Sequence, residues 1–199
     1  MRIVCLGDSI TGASNRAASV KFSDILELLL KARPGSSRAT VLNRGVGGDT
    51  TADVLARLDR DVVSERPDLV VLLIGYNDSL RRGTISLADT EKNLDEIVRR
   101  LHEASIEILL LQYHPCLPNP AAPAEAWAVS QEDSSRPVIA RVAMQHDLPV
   151  LDMTPPFEAA LQTHRREELV HARDGIHLAP GGELIYAWEI HRAIEGVIA

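Results

Sequence analysis

The six residues "LVVLLI" at positions 69–74 constrain the fold of this chain more than any other feature of its sequence. Every residue in the run is apolar, without the alternation expected of a strand that has one face in water. Such a run predicts a strand that is buried on both faces, as strands of a parallel sheet are. The sequence therefore predicts a sheet with helices on each side.

Further apolar runs complete the predicted sheet. Strands are predicted at 3–6, 39–42, 69–74, 106–111 and 149–151, separated by amphipathic segments. Two helical faces are formed by residues 22–29 and 94–101, and a third by Leu184, Ala187, Trp188, Ile190, Ile194 and Val197. This alternation predicts an α/β fold with a five-stranded parallel sheet between two helical layers, as one domain over residues 1–199. Only segment 113–136, which is rich in proline, is expected to be a long loop.

Charge and composition exclude several classes of function. The 21 Lys and Arg residues against 28 Asp and Glu residues give a net charge of −7, which disfavours nucleic acid and anionic membranes as partners. Cys5 and Cys116 do not make a disulfide framework, and the first predicted strand begins too early to leave room for a signal peptide. We therefore expect a cytoplasmic protein with a small-molecule partner, whose oligomeric state is not predicted.

Four polar motifs follow or flank the predicted strands and carry the chemistry of the chain. They are "GDS" at 7–9, "NRGVGGDT" at 43–50, "GYND" at 75–78 and "DGIH" at 174–177. In an open parallel sheet, ligands bind beyond the carboxyl ends of the strands, so these motifs are expected to converge. Ser9 would be the nucleophile, with His177 as its base and Asp174 as the acid that orients the imidazole. An oxyanion would need donors such as the Ser9 N–H, a glycine N–H of the second motif and the Asn77 amide.

In their order and spacing, "GDSI", "GVGGDTT", "GYND" and "DGIHL" resemble the four blocks of the SGNH (GDSL) hydrolase superfamily of serine esterases and lipases. Within the superfamily, the chain is most similar to small bacterial lysophospholipase-like and platelet-activating-factor-acetylhydrolase-like esterases, because they share the motif "GVGGDTT". The resemblance implies a flavodoxin-like three-layer fold and a triad of Ser9, Asp174 and His177. It also implies an oxyanion hole formed by Ser9, Gly48 and Asn77, with no cofactor or metal.

Each motif also has a plainer interpretation. Asp8 and Ser9 could only cap a helix, Asp49 is expected to cap the helix that follows it, and Asp78 is expected to order its loop. "GVGGDTT" lacks the Lys-Ser/Thr of a phosphate loop. Asp174 and His177 could be metal ligands, but a metal site needs three or four protein ligands and no second cluster is found.

Four residues are candidates for contact with substrate: Asp8, Tyr76, His114 and Trp127. His114 is otherwise expected at the surface, and Trp127 could serve only for packing. With 4% aromatic residues, few large side chains are available to line a deep acyl site. The sequence thus predicts an esterase for short acyl groups. Carbohydrate deacetylation, thioester hydrolysis and acyl transfer remain alternatives, as does a ligand-binding module without activity.

Overall fold

The computed structural model describes residues 1–12, 20–32, 38–80, 85–117, 135–172 and 174–198. The strands are β1 (Arg2–Gly7), β2 (Thr40–Gly45), β3 (Leu69–Leu73), β4 (Glu107–Gln112) and β5 (Val150–Asp152). The helices are α1 (Ser9–Gly12), α2 (Phe22–Lys31), α3 (Thr51–Asp61), α4 (Tyr76–Leu80), α5 (Leu87–Glu103), α6 (Arg136–Gln145), α7 (Thr154–Ala160), α8 (Arg166–Leu169) and α9 (Pro180–Ile198). A short 3₁₀ turn, Val63–Glu65, follows α3.

The five strands form one parallel sheet in the order β2-β1-β3-β4-β5. This is the flavodoxin-like order, in which strands are added on one side of β1 and then, from β3 onward, on its other side. Right-handed crossovers then place α2 on one face and α3, α5 and α6 on the other. The helix contacts agree, because α2 packs on α9, whereas α5 packs on α3 and α6.

The centre of the sheet is buried on both faces, as the apolar run at 69–74 predicts. Ile3, Val4, Cys5 and Leu6 of β1 are fully buried, and Val70 to Leu72 of β3 are nearly so. Neighbouring side chains of a strand point to opposite faces, so complete burial requires a helical layer on each side. The predicted α/β architecture is therefore confirmed.

The strand β2 is longer than the sequence predicted. Asn43, Arg44 and Gly45 continue the strand and pair with Cys5, Leu6 and Gly7, although they were expected in the loop after it. β2 lies at the edge of the sheet, where polar side chains remain partly solvated. The side-chain amide of Asn43 also donates to the carbonyl of Thr11. This partner is distant in the sequence, so a prediction from local residues does not include it.

Candidate active site

The site lies at the carboxyl edge of the sheet, at the switch in strand order between β1 and β3. Gly7, the last residue of β1, is paired with Gly45 of β2 on one side and with Leu73 of β3 on the other. The segments that leave these three strands carry Ser9, Gly48 and Asn77. Parallel register therefore brings three of the predicted motifs to one place.

The turn after β1 requires a glycine and directs Ser9 toward the site. A Cβ on Gly7 would lie 2.2 Å from the carbonyl oxygen of Leu73, closer than any side chain tolerates. Asp8 then accepts a hydrogen bond from the Ile10 N–H at 2.9 Å through its side chain, and one from the Gly12 N–H through its carbonyl. Asp8 thus serves the turn, which leaves the Ser9 hydroxyl for another partner.

That partner is His177, which in turn contacts Asp174. The distance from Ser9 Oγ to His177 Nε2 is 2.9 Å, and from His177 Nδ1 to Asp174 Oδ2 it is 3.1 Å. An ionised carboxylate only accepts hydrogen bonds, so Nδ1 carries the proton and Nε2 presents its lone pair to the serine hydroxyl. This is the arrangement in which an imidazole can remove the hydroxyl proton.

Asp174 and His177 share one tight turn before α9. Gly175, at φ 67°, occupies the left-handed region, and a Cβ there would lie 2.0 Å from the carbonyl oxygen of Leu117. Asp174 Oδ1 accepts the N–H groups of Ile176 and His177, each at 3.0 Å. Burial alone would raise the pKa of Asp174, but the hydrogen bonds from the His177 side chain and from these two N–H groups hold it well below its usual range. The acid therefore stays ionised.

Two of the predicted oxyanion donors, Gly48 and Asn77, lie on segments that are tied together. Asn77 donates from Nδ2 to the carbonyl of Asp49 at 2.8 Å, next to Gly48, which has a φ of 86°. Asp78 is buried one residue on and accepts the N–H of Thr51 at 3.0 Å and its hydroxyl at 2.5 Å. The expectation that Asp78 orders its loop agrees with these contacts.

Arg57 is a residue that the sequence analysis missed. Its Nε donates to Asp49 Oδ2 at 2.7 Å, its Nη1 to Asp61 at 2.8 Å and its Nη2 to the carbonyl of Gly7 at 2.9 Å. Arg57 therefore joins the end of β1 to the loop that carries Gly48. Arg57 shares the buried face of α3 with Val54 and Leu58, and a charged residue at such a position in the sequence indicates a buried ionic contact.

The prediction that Asp49 caps α3 is wrong. Thr50 is the N-cap, and its hydroxyl accepts from the Asp53 N–H while the Asp53 carboxylate accepts from the Thr50 N–H. Asp49 instead accepts a hydrogen bond at 2.7 Å from the side chain of Arg57, farther along the same helix.

Three of the four candidate substrate contacts are buried within the protein. Asp8 and His114 are each 1% exposed and Tyr76 is 5% exposed, whereas Trp127 lies outside the described residues. Tyr76 packs edge-on against Tyr113 with ring centroids 4.9 Å apart. The alternative placement of His114 at the surface is wrong, because both of its ring nitrogens have partners inside the protein. This burial favours roles in the framework of the site over direct contact with substrate.

Asp8, next to the proposed nucleophile, is a buried carboxyl group with a strongly raised pKa. Burial raises its pKa to about 7, although the Ile10 N–H and the nearby His177 act in the opposite direction. Asp49 and Asp78 add to the increase because they are carboxylates in the same region.

Among the described residues, no group of three or more His, Cys, Asp or Glu side chains is arranged to hold a metal ion.

Comparisons with known proteins agree on the class of enzyme. The model of the GDSL-like lipase/acylhydrolase family matches residues 5–184. The acetylxylan esterase of Geobacillus stearothermophilus is 26% identical over 163 residues, which cover 77% of this chain and 71% of that protein. Esterase TesA of Pseudomonas aeruginosa is 32% identical over 109 residues, which cover 55% of this chain and about half, 52%, of that relative.

Solved structures resemble the chain over nearly its whole length. LAE5, an alpha/beta hydrolase enzyme from the metagenome of Lake Arreo in Spain, superposes with a TM-score of 0.79 at 26% identity. The superposition covers 98% of this chain and 94% of that one.

None of the helices in the described part of the chain is both long and apolar enough to cross a bilayer.

Proposed function

The chain belongs to the GDSL-like lipase/acylhydrolase family and is a carboxylic ester hydrolase of that type, and we propose that it removes short acyl groups, above all acetyl groups of carbohydrates, through an acyl-enzyme on Ser9. The observation that carries the proposal is the continuous path from Ser9 Oγ through His177 to Asp174, at 2.9 and 3.1 Å.

In the first half of the reaction, His177 Nε2 takes the proton of Ser9 as Oγ attacks the ester carbonyl. Asp174 stabilises the imidazolium that forms, and its depressed pKa supports its ionised state throughout. The same proton then passes from His177 to the departing alcohol oxygen. In the second half, His177 activates a water molecule that releases the carboxylic acid and restores Ser9.

The tetrahedral intermediate carries a negative oxygen that needs hydrogen-bond donors. We assign them to the Ser9 N–H, the Gly48 N–H and the Asn77 side-chain amide. Asn77 Nδ2 has two hydrogens, of which one binds the Asp49 carbonyl, so the other is the one that this assignment directs at the oxyanion. The ties from Arg57 to Asp49 and Gly7 support the assignment, since fixed donors stabilise charge without reorganising.

The preference for short acyl groups rests on the chain's side chains and on one relative. Only 4% of the residues are aromatic, which limits the material for a deep apolar trench. The acetylxylan esterase, a relative matched over 77% of this chain and 71% of its own length, is named for an acetyl ester of a carbohydrate. Two unbridged thiols, of which Cys5 is buried with a pKa raised to about 12, support a reducing compartment such as the cytoplasm as part of this proposal.

The decisive measurement is kcat/KM for p-nitrophenyl acetate, butyrate, octanoate and palmitate, together with acetate release from acetylated xylo-oligosaccharides. Each methylene that a binding site buries contributes about 0.8 kcal/mol. If the acyl site is shallow, methylenes beyond those of butyrate are not buried, so kcat/KM should not rise for chains longer than butyrate. Efficiency that climbs through octanoate to palmitate would contradict the short-acyl proposal. Efficient release of acetate from the oligosaccharides is expected, and its absence would remove carbohydrates from the proposal.

A fluorophosphonate probe tests the nucleophile independently of any substrate. The wild-type protein should be labelled, whereas Ser9→Ala should not be labelled and should lose on the order of 10⁵- to 10⁶-fold in kcat. Ser64→Ala is the matched control, because its exposed hydroxyl donates to the Arg60 carbonyl, just beyond α3 and outside the site. Turnover that survives in a folded Ser9→Ala protein would overturn the assignment.

A further inference from the structure

The turn that carries Asp174 and His177 is held by three consecutive main-chain carbonyls. The Gly175 carbonyl accepts from the Leu117 N–H at 2.9 Å, and the His177 carbonyl accepts from the His171 N–H at 2.7 Å. Between them, the Ile176 carbonyl accepts from Nε2 of His114 at 2.8 Å. Of these three donors, His114 is the one that acts through its side chain, and it is therefore the one that a substitution can remove.

The partners of the His114 ring fix its tautomer. A carbonyl oxygen cannot donate, so Nε2 carries the proton and Nδ1 is left as an acceptor. The hydroxyl of Tyr186 lies 2.9 Å from Nδ1 and 3.3 Å from the His114 backbone nitrogen, so it can donate to the ring and accept from the main chain. The ring also stacks on Phe157 with centroids 4.4 Å apart. Burial lowers the pKa of His114 to about 4, which keeps the ring neutral near pH 7.

The peptide group between Ile176 and His177 is gripped at both ends. Its carbonyl is bound by His114 and its N–H by Asp174 Oδ1 at 3.0 Å. Because a peptide group is planar, two hydrogen bonds on opposite sides fix its orientation, and the Cα of His177 is attached directly to it. The direction of the His177 side chain therefore depends on the His114 contact.

We propose that His114 is a positioning residue for ester hydrolysis: by holding the Ile176 carbonyl, with its own ring held by Tyr186, it keeps the His177 imidazole in line with Ser9. This inference rests on the proposed function of the Ser9 site. It differs from the candidate role of His114 in substrate contact, because the ring acts through the main chain of the catalytic turn. Its loss should therefore lower kcat and leave KM little changed.

Three variants separate the hydrogen bond from simple packing. His114→Leu removes the donor, whereas His114→Gln keeps an amide N–H at a similar reach from the backbone. Tyr186→Phe leaves the donor and removes the hydroxyl that contacts Nδ1 and the main-chain N–H of His114. A small misplacement of a catalytic group costs on the order of 10- to 100-fold, so we expect that loss in kcat for His114→Leu, a partial recovery for His114→Gln and an intermediate loss for Tyr186→Phe.

Amide hydrogen exchange gives a readout that does not depend on turnover. Exchange in the peptide covering 174–178 should be faster in His114→Leu than in the wild type, with less change elsewhere. Ile97→Val, in the buried face of α5, is the control for a general loss of stability, and it should affect neither kcat nor that peptide selectively. If Ser9→Ala retains turnover, the proposed function fails, and the exchange data alone still decide whether His114 holds the turn.

The inference is supported by a selective increase in exchange together with a loss of kcat that His114→Gln partly restores. It is overturned if kcat stays within about threefold of the wild type, which is well below the loss expected from misplacement. It is also overturned if exchange at 174–178 does not change, or if the losses match those of Ile97→Val. Should His114→Leu fail to fold, Tyr186→Phe against the wild type gives the same decision, because it preserves the ring packing.

Discussion

The Asn77 side chain donates to the main-chain carbonyl of Asp49 at 2.8 Å, so one loop of the site orients the amide of another. Asn77→Ala should therefore lower kcat by about 100- to 1000-fold while KM changes little, since the oxyanion forms only after binding. Steady-state kinetics on p-nitrophenyl acetate would measure this split. Asn93→Ala, which removes an amide that binds Thr51, should cost far less. A loss of thermal stability with normal turnover would instead assign Asn77 to the turn alone.

Replacing Asp174 by Asn should leave the fold intact and remove the group that sets the tautomer of His177. An amide can donate to Nδ1, which moves the proton to Nε2 and takes away the lone pair that receives the serine proton, so kcat should fall by about 10⁴-fold. The control is Asp95→Asn, because Asp95 contacts His146 Nε2 at 2.7 Å in a second Asp–His pair at the surface. Equal losses in both variants would show that the effect is not specific to the catalytic turn.

Arg57 should contribute to both stability and turnover. Its side chain is 9% exposed and pairs with Asp49 and Asp61, so Arg57→Met takes the cation away from the Asp49 carboxylate and leaves Asp61 with its contact to Arg60. The free energy of unfolding in urea should drop by about 3–5 kcal/mol, and kcat should also fall because the Gly48 loop loses its tie to β1. Arg60→Met, whose side chain is 75% exposed, should cost no more than about 1 kcal/mol. Similar costs for the two arginines would contradict the buried network.

The raised pKa of Asp8 predicts how stability depends on pH. In the unfolded chain Asp8 loses its proton near pH 4, whereas in the folded protein it keeps the proton to about pH 7. The folded state therefore binds more protons between these values, and this residue's contribution to stability falls as pH rises from about 4 to about 7. At about 1.4 kcal/mol per pKa unit, the loss amounts to a few kcal/mol at most.

Urea unfolding of the wild type and Asp8→Asn between pH 4.5 and pH 8 measures this contribution. The stability of the wild type relative to the variant should decrease up to about pH 7 and then level off, because the amide does not titrate. Contributions from the other ionisable groups cancel in the difference when they are common to both proteins. A difference that stays constant with pH would show that Asp8 is already ionised at the acid end.

The sheet could be predicted from the sequence because burial on both faces leaves a pattern that does not depend on distant residues. The C-terminal helix shows where this fails. Leu184 and Trp188 were assigned to its buried face, but both are about half exposed, whereas Glu183 and Tyr186 are buried. Glu183 Oε2 accepts the N–H of Phe22 at the start of α2, at 2.7 Å, and this contact turns a carboxylate inward. Periodicity alone cannot reveal a partner 161 residues away.

The same distinction applies to the site. Ser9, Asn77, Asp174 and His177 lie at strand ends or in one turn, so their motifs could be recognised and their convergence follows from parallel register. Arg57 and His114 could not be assigned in this way. Their functions depend on which carbonyl each side chain reaches, Gly7 in one case and Ile176 in the other, and such contacts arise only when separate loops are folded together.

The contact between Ser9 and His177 joins residues that are 168 positions apart, and this separation has a consequence during synthesis of the protein. At 5–20 residues per second, a ribosome needs about 10 to 30 s to add His177 after Ser9. Throughout that interval the nascent chain has the proposed nucleophile but neither the proposed base nor the proposed acid, which arrive together in one turn. A growing chain therefore cannot form an acyl-enzyme by this mechanism, and any product terminated before residue 174 is inert even if its sheet has formed.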